Sequence, residues 1–551
     1  MVVAIFLLIF LVYTDSLEEK GVSTFCGVGA DFWSLMKQGD KGEKMTMTNN
    51  ILDLQNGSDI RGIAISTDEL TANLTVPAVK QIAVGVLNWA SSKLGKQASE
   101  LTFGLGCDSR LSGPELKQAM IDMFTKAGAK VIDFELATTP AMFMATQFAA
   151  FACDVTLMLT ASHLPYYYNG IKLFTAKSGV EKSDIQEILT LASNSELVEV
   201  KAQQPVQTAD LLTPYADFLV EKIKSGSRTN VDQPLAGWHI IVDAGNGAGG
   251  FFAEKVLKRL GADISGSQFL TPDGHFPNHI PNPDNKEAMA SIKAAVLEHQ
   301  ADLGVIFDTD VDRSAVVTKS GALLNRNNLI AVLSRIILAE HPHTRIVTNS
   351  PTTNHLKDFI ESLGGKQVRY ISGYRNVINK AIALNEQGLD TQLAIETSGH
   401  AAFKENYFLD DGAYVIAKIL MLLPKLKASN QTLDDLIATL KQPIETQEVR
   451  FKLETADYRQ LGQQVIRDLA DYSVEGWTID PENEEGIRFT LTAPYGDGWF
   501  LLRMSLHEPL LVLQVENDLA NQIQPVLIEI QKFLNRYPQV NQEKLKEILT
   551  K

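Results

Sequence analysis

The chain has 551 residues, 45% apolar and 21% charged, and a formal charge of −16 at pH 7, which points to a globular protein too long for one core and built from three or four domains. That excess of negative charge argues against nucleic acid and an anionic membrane as partners of the mature protein, and it requires an anionic substrate to find a local basic pocket. Cys26, Cys107 and Cys153 have neither metal-ligand spacing nor an even count, which fits the reducing cytoplasm. Residues 1–13 form an apolar run of signal-peptide length, too short to span a bilayer and without the usual preceding Lys or Arg. Two readings stand: a dispensable extension over residues 1–47, with Met45 or Met47 as the true start, or a processed export signal. The sequons at Asn56, Asn73 and Asn430 matter only in the second.

Residues 56–63, N-G-S-D-I-R-G-I, place a turn before Arg61, which on its own reads equally as a solvated turn arginine. A strand is predicted ahead of C-D-S-R-L-S-G, followed by a helix over 114–127, a strand over 130–134 and a helix over 140–151, the punctuation of a mostly parallel sheet. Val155, Leu157 and Leu159 mark a buried strand; Pro165 and Asn169-Gly170 then turn the chain into a return strand over 171–174. Ser162 therefore sits on an exposed turn with His163 beside it and Lys172 brought back, an arrangement that can carry a phosphoryl group. A serine that only satisfies turn backbone is the competing reading.

A second unit opens with a strand over 238–242 and A-G-N-G-A-G-G, leading into a helix through Leu260. Gly245, Gly247 and Gly250 satisfy G-x-G-x-x-G, but Asp243 would face the pyrophosphate and no acidic residue ends the predicted strand over 264–270, so close strand-to-helix approach is the better reading. The run P-D-G-H-F-P-N-H-I-P-N-P at 272–283 receives no chemistry. In L-G-V-I-F-D-T-D-V-D-R, strand period puts Asp308, Asp310 and Asp312 on one side. Three clustered carboxylates repel unless a hard cation lies between them, and oxygen-only ligands suit Mg²⁺. A third unit carries S-G-Y-R at 372–375 and A-I-E-T-S-G-H-A at 394–401, with Asp410-Asp411-Gly412 capping a helix over 413–422. In the last unit two apolar strands flank a turn presenting Arg503, Ser505 and backbone N–H groups, as a phosphate-binding loop requires.

The run T-A-S-H-L-P-Y-Y-Y-N-G-I-K resembles the phosphoserine loop of the α-D-phosphohexomutases, the phosphomannomutase/phosphoglucomutase superfamily, and D-I-R-G, D-T-D-V-D-R, E-T-S-G-H and R-M-S-L-H-E-P resemble further loops of that family in the same order. The resemblance implies an α/β fold of four domains around a central cleft: three related mixed α/β-sheet domains over 48–205, 206–324 and 325–443, and a smaller C-terminal α+β domain over 444–551. It implies a phosphohexomutase with Ser162 as phosphoryl carrier and Arg61, Lys172 and His400 handling protons. Asp308, Asp310, Asp312 and Ser162 would hold one Mg²⁺, and Arg313 would meet the phosphoserine. Glu396, Ser398 and His400 would read the sugar, while Arg375, Arg503, Ser505 and His507 would bind substrate phosphate. Hexose 1,6-bisphosphate is the implied activator, mannose and glucose phosphates the implied partners, a monomer or dimer the implied assembly. Arg110 reads as a structural ion-pair partner near the serine loop.

Three departures stand out against the family pattern: Leu164 for Asn in the serine loop, Thr309 for Gly in the aspartate loop, and Leu506-His507 for Gly-Thr in the last loop. Leu164 and Leu506-His507 keep open a catalytically weak sugar-phosphate-binding regulator. A phosphoglucosamine mutase is the nearest alternative enzyme, and a haloacid-dehalogenase type phosphatase, with Asp308 as nucleophile, is the more distant one.

Overall fold

The computed structural model describes residues 50–194, 204–229, 231–505 and 508–550. Three mixed sheets carry helices on their faces, and a fourth sheet near the C-terminus is wholly antiparallel. In the first sheet Val155–Leu159, Thr102–Cys107, Lys130–Leu136 and Val206–Thr208 run parallel. Tyr168–Thr175, Asp59–Ile63 and Gln55–Asn56 extend it antiparallel at one edge. The register sets Met158 opposite Lys172 and Arg61 opposite Gly170, so the serine turn, Lys172 and Arg61 share one end of the sheet.

The second sheet orders Leu323–Leu324, Ser314–Thr318, Leu303–Phe307 and Ile240–Asp243, and the third orders Lys366–Tyr370, Arg345–Asn349, Thr391–Ile395, Ala401–Phe403 and Leu409–Asp410. One apolar core runs beneath all three sheets: Phe134, Phe143 and Met158 of the first join Phe252 and Phe307 of the second and Ile336, Phe403 and Ile416 of the third. The opposite face of the first sheet has its own core under helices Val76–Leu94, Gly113–Lys126 and Lys182–Asn194. The C-terminal sheet forms a separate cluster, with Phe451, Phe489 and Phe500 packed on Val526 and Phe533 of helix Ile523–Leu534.

Several predicted elements shift. The helix expected over 140–151 is Thr139–Gln147, its start fixed by Thr138, whose hydroxyl accepts from Ala141 N. No strand forms over 264–270: Gly266 takes φ 83°, and the Ser267 hydroxyl donates to Ile264 O and accepts from Val242 N, side-chain bonds that displace a ladder. The helix expected to run through Leu260 is a wide π turn, Phe252–Leu257, followed by the 3₁₀ turn Lys258–Leu260. The capping reading at Asp411 holds, since its carboxylate accepts from Tyr414 N at the start of Gly412–Ala428. No described helix is long and apolar enough to cross a membrane.

Candidate active site

The chain leaves strand Val155–Leu159 through Thr160, whose hydroxyl donates to Asp108 Oδ2 at 2.7 Å and accepts from Ser162 N at 2.9 Å. Ser162 is held at φ 51°, a left-handed conformation that costs a non-glycine residue about 1–3 kcal/mol and persists only where surroundings enforce it. The enforcement comes from Arg110. Its guanidinium, fully buried, donates to the carbonyls of Ser162 (2.5 Å), Leu164 (2.6 Å), Pro165 (2.8 Å) and Tyr168 (2.9 Å), with Asp108 3.3 Å from Nε as counterion. Leu164, where the family pattern has Asn, contributes a backbone carbonyl to this grip.

Asp308, Asp310 and Asp312 are fully buried, and their carboxylate oxygens come within 4.8 Å of one another. Strand period does not gather them, contrary to the expectation: strand Leu303–Phe307 ends before Asp308, and residues 308–313 form a loop that reverses into Ser314–Thr318. Asp308 N donates to Arg313 O, and Arg313 N to Asp308 Oδ1 at 3.1 Å, which closes that loop. The left-handed residue is Val311, φ 68°, so Thr309 in the first spacer demands no glycine. Gly247 of the glycine-rich turn is what makes room instead, because a Cβ there would lie 2.6 Å from Thr309 O.

Ser162 Oγ donates to Asp308 Oδ2 at 2.9 Å and accepts from Arg313 Nη2 at 2.8 Å, and Arg313 also donates from Nε to Asp308 Oδ2 at 3.1 Å. Thr139 Oγ1 donates to Asp310 Oδ2 at 2.5 Å; Lys172 Nζ bonds Asp312 Oδ2 and lies 3.3 Å from Asp310 Oδ2. Two oxygens, Asp310 Oδ1 and Asp312 Oδ1, are buried with no hydrogen-bond partner. Buried carboxylate lone pairs left open beside a serine hydroxyl fit a hard divalent cation. Burial and the neighbouring Asp312 and Asp310 push Asp308 well above the usual carboxylate range. Burial would raise Asp312 as well, but Lys172, His400 and Arg313 outweigh it and hold this carboxyl down.

Glu396 closes a tight turn after strand Thr391–Ile395: its Oε1 accepts from Gly373 N at 2.6 Å and Ser398 Oγ donates to Oε2 at 3.4 Å. His400 bridges backbone to Arg313, and its Nδ1 lies 2.6 Å from Asp410 Oδ2 and 3.8 Å from Asp312 Oδ1. Burial lowers this imidazole's pKa, yet Asp410 and Asp312 reverse the effect and raise it to about 8. Tyr374 stacks on His400 at 5.2 Å and donates to Asp59 Oδ1 at 3.2 Å, while Arg61 pairs with Asp59 Oδ2 at 2.9 Å. Asp59, Thr139 and Tyr374 escaped the sequence reading as site residues, and Asp410 was read only as part of a helix cap. Their signals were adjacency to Arg61, to the helix start, to S-G-Y-R and to the capping D-D-G.

Not every expected residue gathers here. Arg375 turns away from the cluster, because Glu181 Oε1 accepts from its Nε at 2.8 Å and its Nη2 at 2.5 Å and Ser178 Oγ from Nη2 at 3.0 Å; it joins the first sheet's unit to the third. Arg503 donates to Met504 O at 3.2 Å and stands 3.8 Å from Glu485, whose other oxygen accepts from Ser372 Oγ at 2.6 Å. Ser505 Oγ accepts from Glu508 N at 3.3 Å within its own turn. Among the described residues no hydrogen bond or ion pair links Arg503 or Ser505 to the serine and aspartates. His507 and its neighbour Leu506 lie outside the described residues.

Family models for the three α/β/α domains of phosphoglucomutase/phosphomannomutase match residues 53–199, 213–321 and 325–443. A phosphomannomutase/phosphoglucomutase of Pseudomonas putida is 31% identical over 80% of this chain and 89% of its own length. A phosphoglucomutase of Neisseria gonorrhoeae is 31% identical over 85% and 93%. In three dimensions the chain resembles the crystal structure of a phosphoglucomutase/phosphomannomutase family protein from Burkholderia thailandensis, with a TM-score of 0.72 and 25% identity over 89% of this chain and 99% of that one.

Proposed function

The chain belongs to the phosphoglucomutase/phosphomannomutase family, and on that premise we propose that it is a phosphohexomutase, interconverting the 1- and 6-phosphates of mannose and glucose through a phosphoserine at Ser162. The observation that carries this reading is the Ser162 hydroxyl, 2.9 Å from Asp308 and 2.8 Å from Arg313, beside two buried carboxylate oxygens without partners. Phosphoserine 162 transfers its phosphoryl group to the free hydroxyl of hexose 1-phosphate. The Oγ–P bond breaks, a sugar O–P bond forms, the sugar hydroxyl's proton passes to a base, and hexose 1,6-bisphosphate results. The bisphosphate turns over, returns its other phosphoryl group to Ser162 and leaves as hexose 6-phosphate.

Arg313, already on Ser162 Oγ, holds the oxygens of the transferring group with a planar fork. Lys172, fixed between Asp310 and Asp312, and Arg61, fixed by Asp59, supply charge at set positions. His400, with Nδ1 engaged by Asp410, has Nε2 to exchange a proton with a sugar hydroxyl. Mg²⁺, held by Asp308, Asp310, Asp312 and Ser162 when bound, supplies positive charge at the phosphoryl oxygens. Glu396 and Ser398 accept from and donate to adjacent sugar hydroxyls, and Arg503, Ser505 and His507 hold the phosphate that does not react. The buried free thiols of Cys107 and Cys153 support a cytoplasmic location.

The test is turnover of mannose 1-phosphate and glucose 1-phosphate with Mg²⁺ and trace hexose 1,6-bisphosphate. Ser162→Ala is expected to lose about 10⁴-fold or more, and the phosphoprotein is expected to be acid-stable. A hydroxylamine-labile acyl phosphate would move the nucleophile to Asp308 and overturn the reading.

A further inference from the structure

Residues 272–283 form a strap that touches both loops the reaction needs together. Its base is tied to the glycine-rich turn: Asn246 Nδ2 donates to Thr271 O at 2.9 Å and Asn278 Nδ2 to Asn246 Oδ1 at 2.7 Å. His279 pins its middle. One ring nitrogen, Nε2, lies 3.0 and 3.1 Å from the two oxygens of buried Asp243, and the other, Nδ1, lies 3.0 Å from Ile280 O. Both nitrogens face acceptors, and although burial lowers this imidazole's pKa, the hydrogen bond and charge of Asp243 outweigh it and raise it.

From this anchor the strap reaches the two arginines that hold Ser162. Gly274 lies so close to the chain around Arg110 that a Cβ would stand 2.5 Å from Ser109 O and 2.6 Å from Leu111 N. The Phe276 ring packs against the Arg110 guanidinium at 5.3 Å. Asn282 Oδ1 accepts from Arg313 Nη1 at 3.2 Å. Arg110 grips the serine turn by four carbonyls, and Arg313 joins Ser162 Oγ to Asp308. The strap springs from the second sheet's unit while Arg110 belongs to the first, so its contacts set one loop against the other.

We propose that Asn282 and Phe276 are positioning residues for phosphoryl transfer, holding the serine turn in register with the aspartate loop through Arg313 and Arg110. This rests on the reading of Ser162 as the phosphoryl carrier. The measurement is the rate at which hexose 1,6-bisphosphate phosphorylates Ser162, followed by intact mass after rapid quenching, with Mg²⁺ affinity measured on the same proteins.

Asn282→Ala is expected to slow loading about 10- to 100-fold, the penalty of a small misplacement at a reacting centre, while Mg²⁺ affinity stays within about twofold of wild type because no aspartate contact is removed. Asn282 Oδ1 also accepts from Asp284 N at 3.0 Å, a bond local to the strap; in an Arg313→Lys background, which lacks Nη1, Asn282→Ala is therefore expected to add nothing to the loading defect, since the contact that reaches Ser162 is already gone. Phe276→Leu, which keeps an apolar side chain, is expected to slow loading about 2- to 5-fold through the lost ring contact. Equal slowing by Asn282→Ala in both backgrounds, or unchanged loading in Asn282→Ala and Phe276→Leu, overturns the inference while leaving the mutase reading intact. A wild-type protein that never acquires phosphate on Ser162 overturns the mutase reading, and the inference with it.

Discussion

Ser162, Lys172 and the three aspartates come from two sheets that share one apolar core, and none of these residues is more than 4% exposed. Arg503 and Ser505 ride on a sheet with a core of its own. That sheet meets the third through polar contacts: Arg488 donates to Ser350 O (3.0 Å), Thr352 O (3.2 Å) and Asn354 Oδ1 (2.9 Å), Ser372 donates to Glu485, and Lys357 pairs with Glu482. The serine centre therefore has its charges placed before any ligand arrives, at the cost of burying them. Each bond at the C-terminal junction is worth about 0.5–1.5 kcal/mol and is easily exchanged. On the proposed mutase reading, a substrate that binds in two orientations would need one fixed centre and one adjustable wall, and these two regions are the candidates for those duties.

The largest effect should come from removing the cation that compensates the aspartates. Lys172→Met leaves Asp310 and Asp312 buried without it, and the expected loss is about 3–5 kcal/mol in urea unfolding without Mg²⁺. Saturating Mg²⁺ should restore most of it, whereas a loss below about 1 kcal/mol would break the view that charge organises this region. A pH series tests the shared core beneath. Burial, resisted by bonds from Tyr215, Tyr414 N and Asn406, raises the Asp411 carboxyl to about 6. A raised carboxyl stabilises the fold below its unfolded value near 3.9 and loses that contribution as pH rises through 6. The stability of wild type relative to Asp411→Asn should thus fall by about 3 kcal/mol or less between pH 4 and 7, and a flat difference would refute the assignment.

At the polar junction, Arg488→Met strands the carbonyls of Ser350 and Thr352, a cost of about 1–3 kcal/mol. Hydrogen exchange should show the loss in the C-terminal sheet alone, with KM raised and kcat little changed. Ser372→Ala removes one bond to Glu485, about 1 kcal/mol, and should raise KM by about fivefold. If either substitution instead lowered kcat with KM unchanged, the junction would belong to the fixed centre and the contrast would fail.

Much of the serine centre was legible in the chain because its residues lie within short runs. T-A-S-H and D-T-D-V-D-R each keep their chemistry inside one turn, and a turn's geometry is largely local. Asp59 and Tyr374 were not legible, since their hydrogen bond spans 315 positions. The contacts of Arg375 were not legible for a different reason. This residue follows Tyr374 at the start of helix Tyr374–Glu386, and successive helix positions point in different directions: Tyr374 faces His400, and Arg375 faces Glu181.

By itself the sequence determined where the serine turn and the carboxylate run lie, because turn residues and clustered carboxylates act over a few neighbouring positions, and its resemblance to the family implied the α/β sheets that frame them. The tertiary structure alone decided how those loops meet: that Arg110 holds the serine turn by its carbonyls, that Asp410 rather than solvent faces His400, and that residues 272–283 lie across both arginines. These are contacts between segments far apart in the chain, and only the packing of the sheets brings such segments within hydrogen-bonding distance.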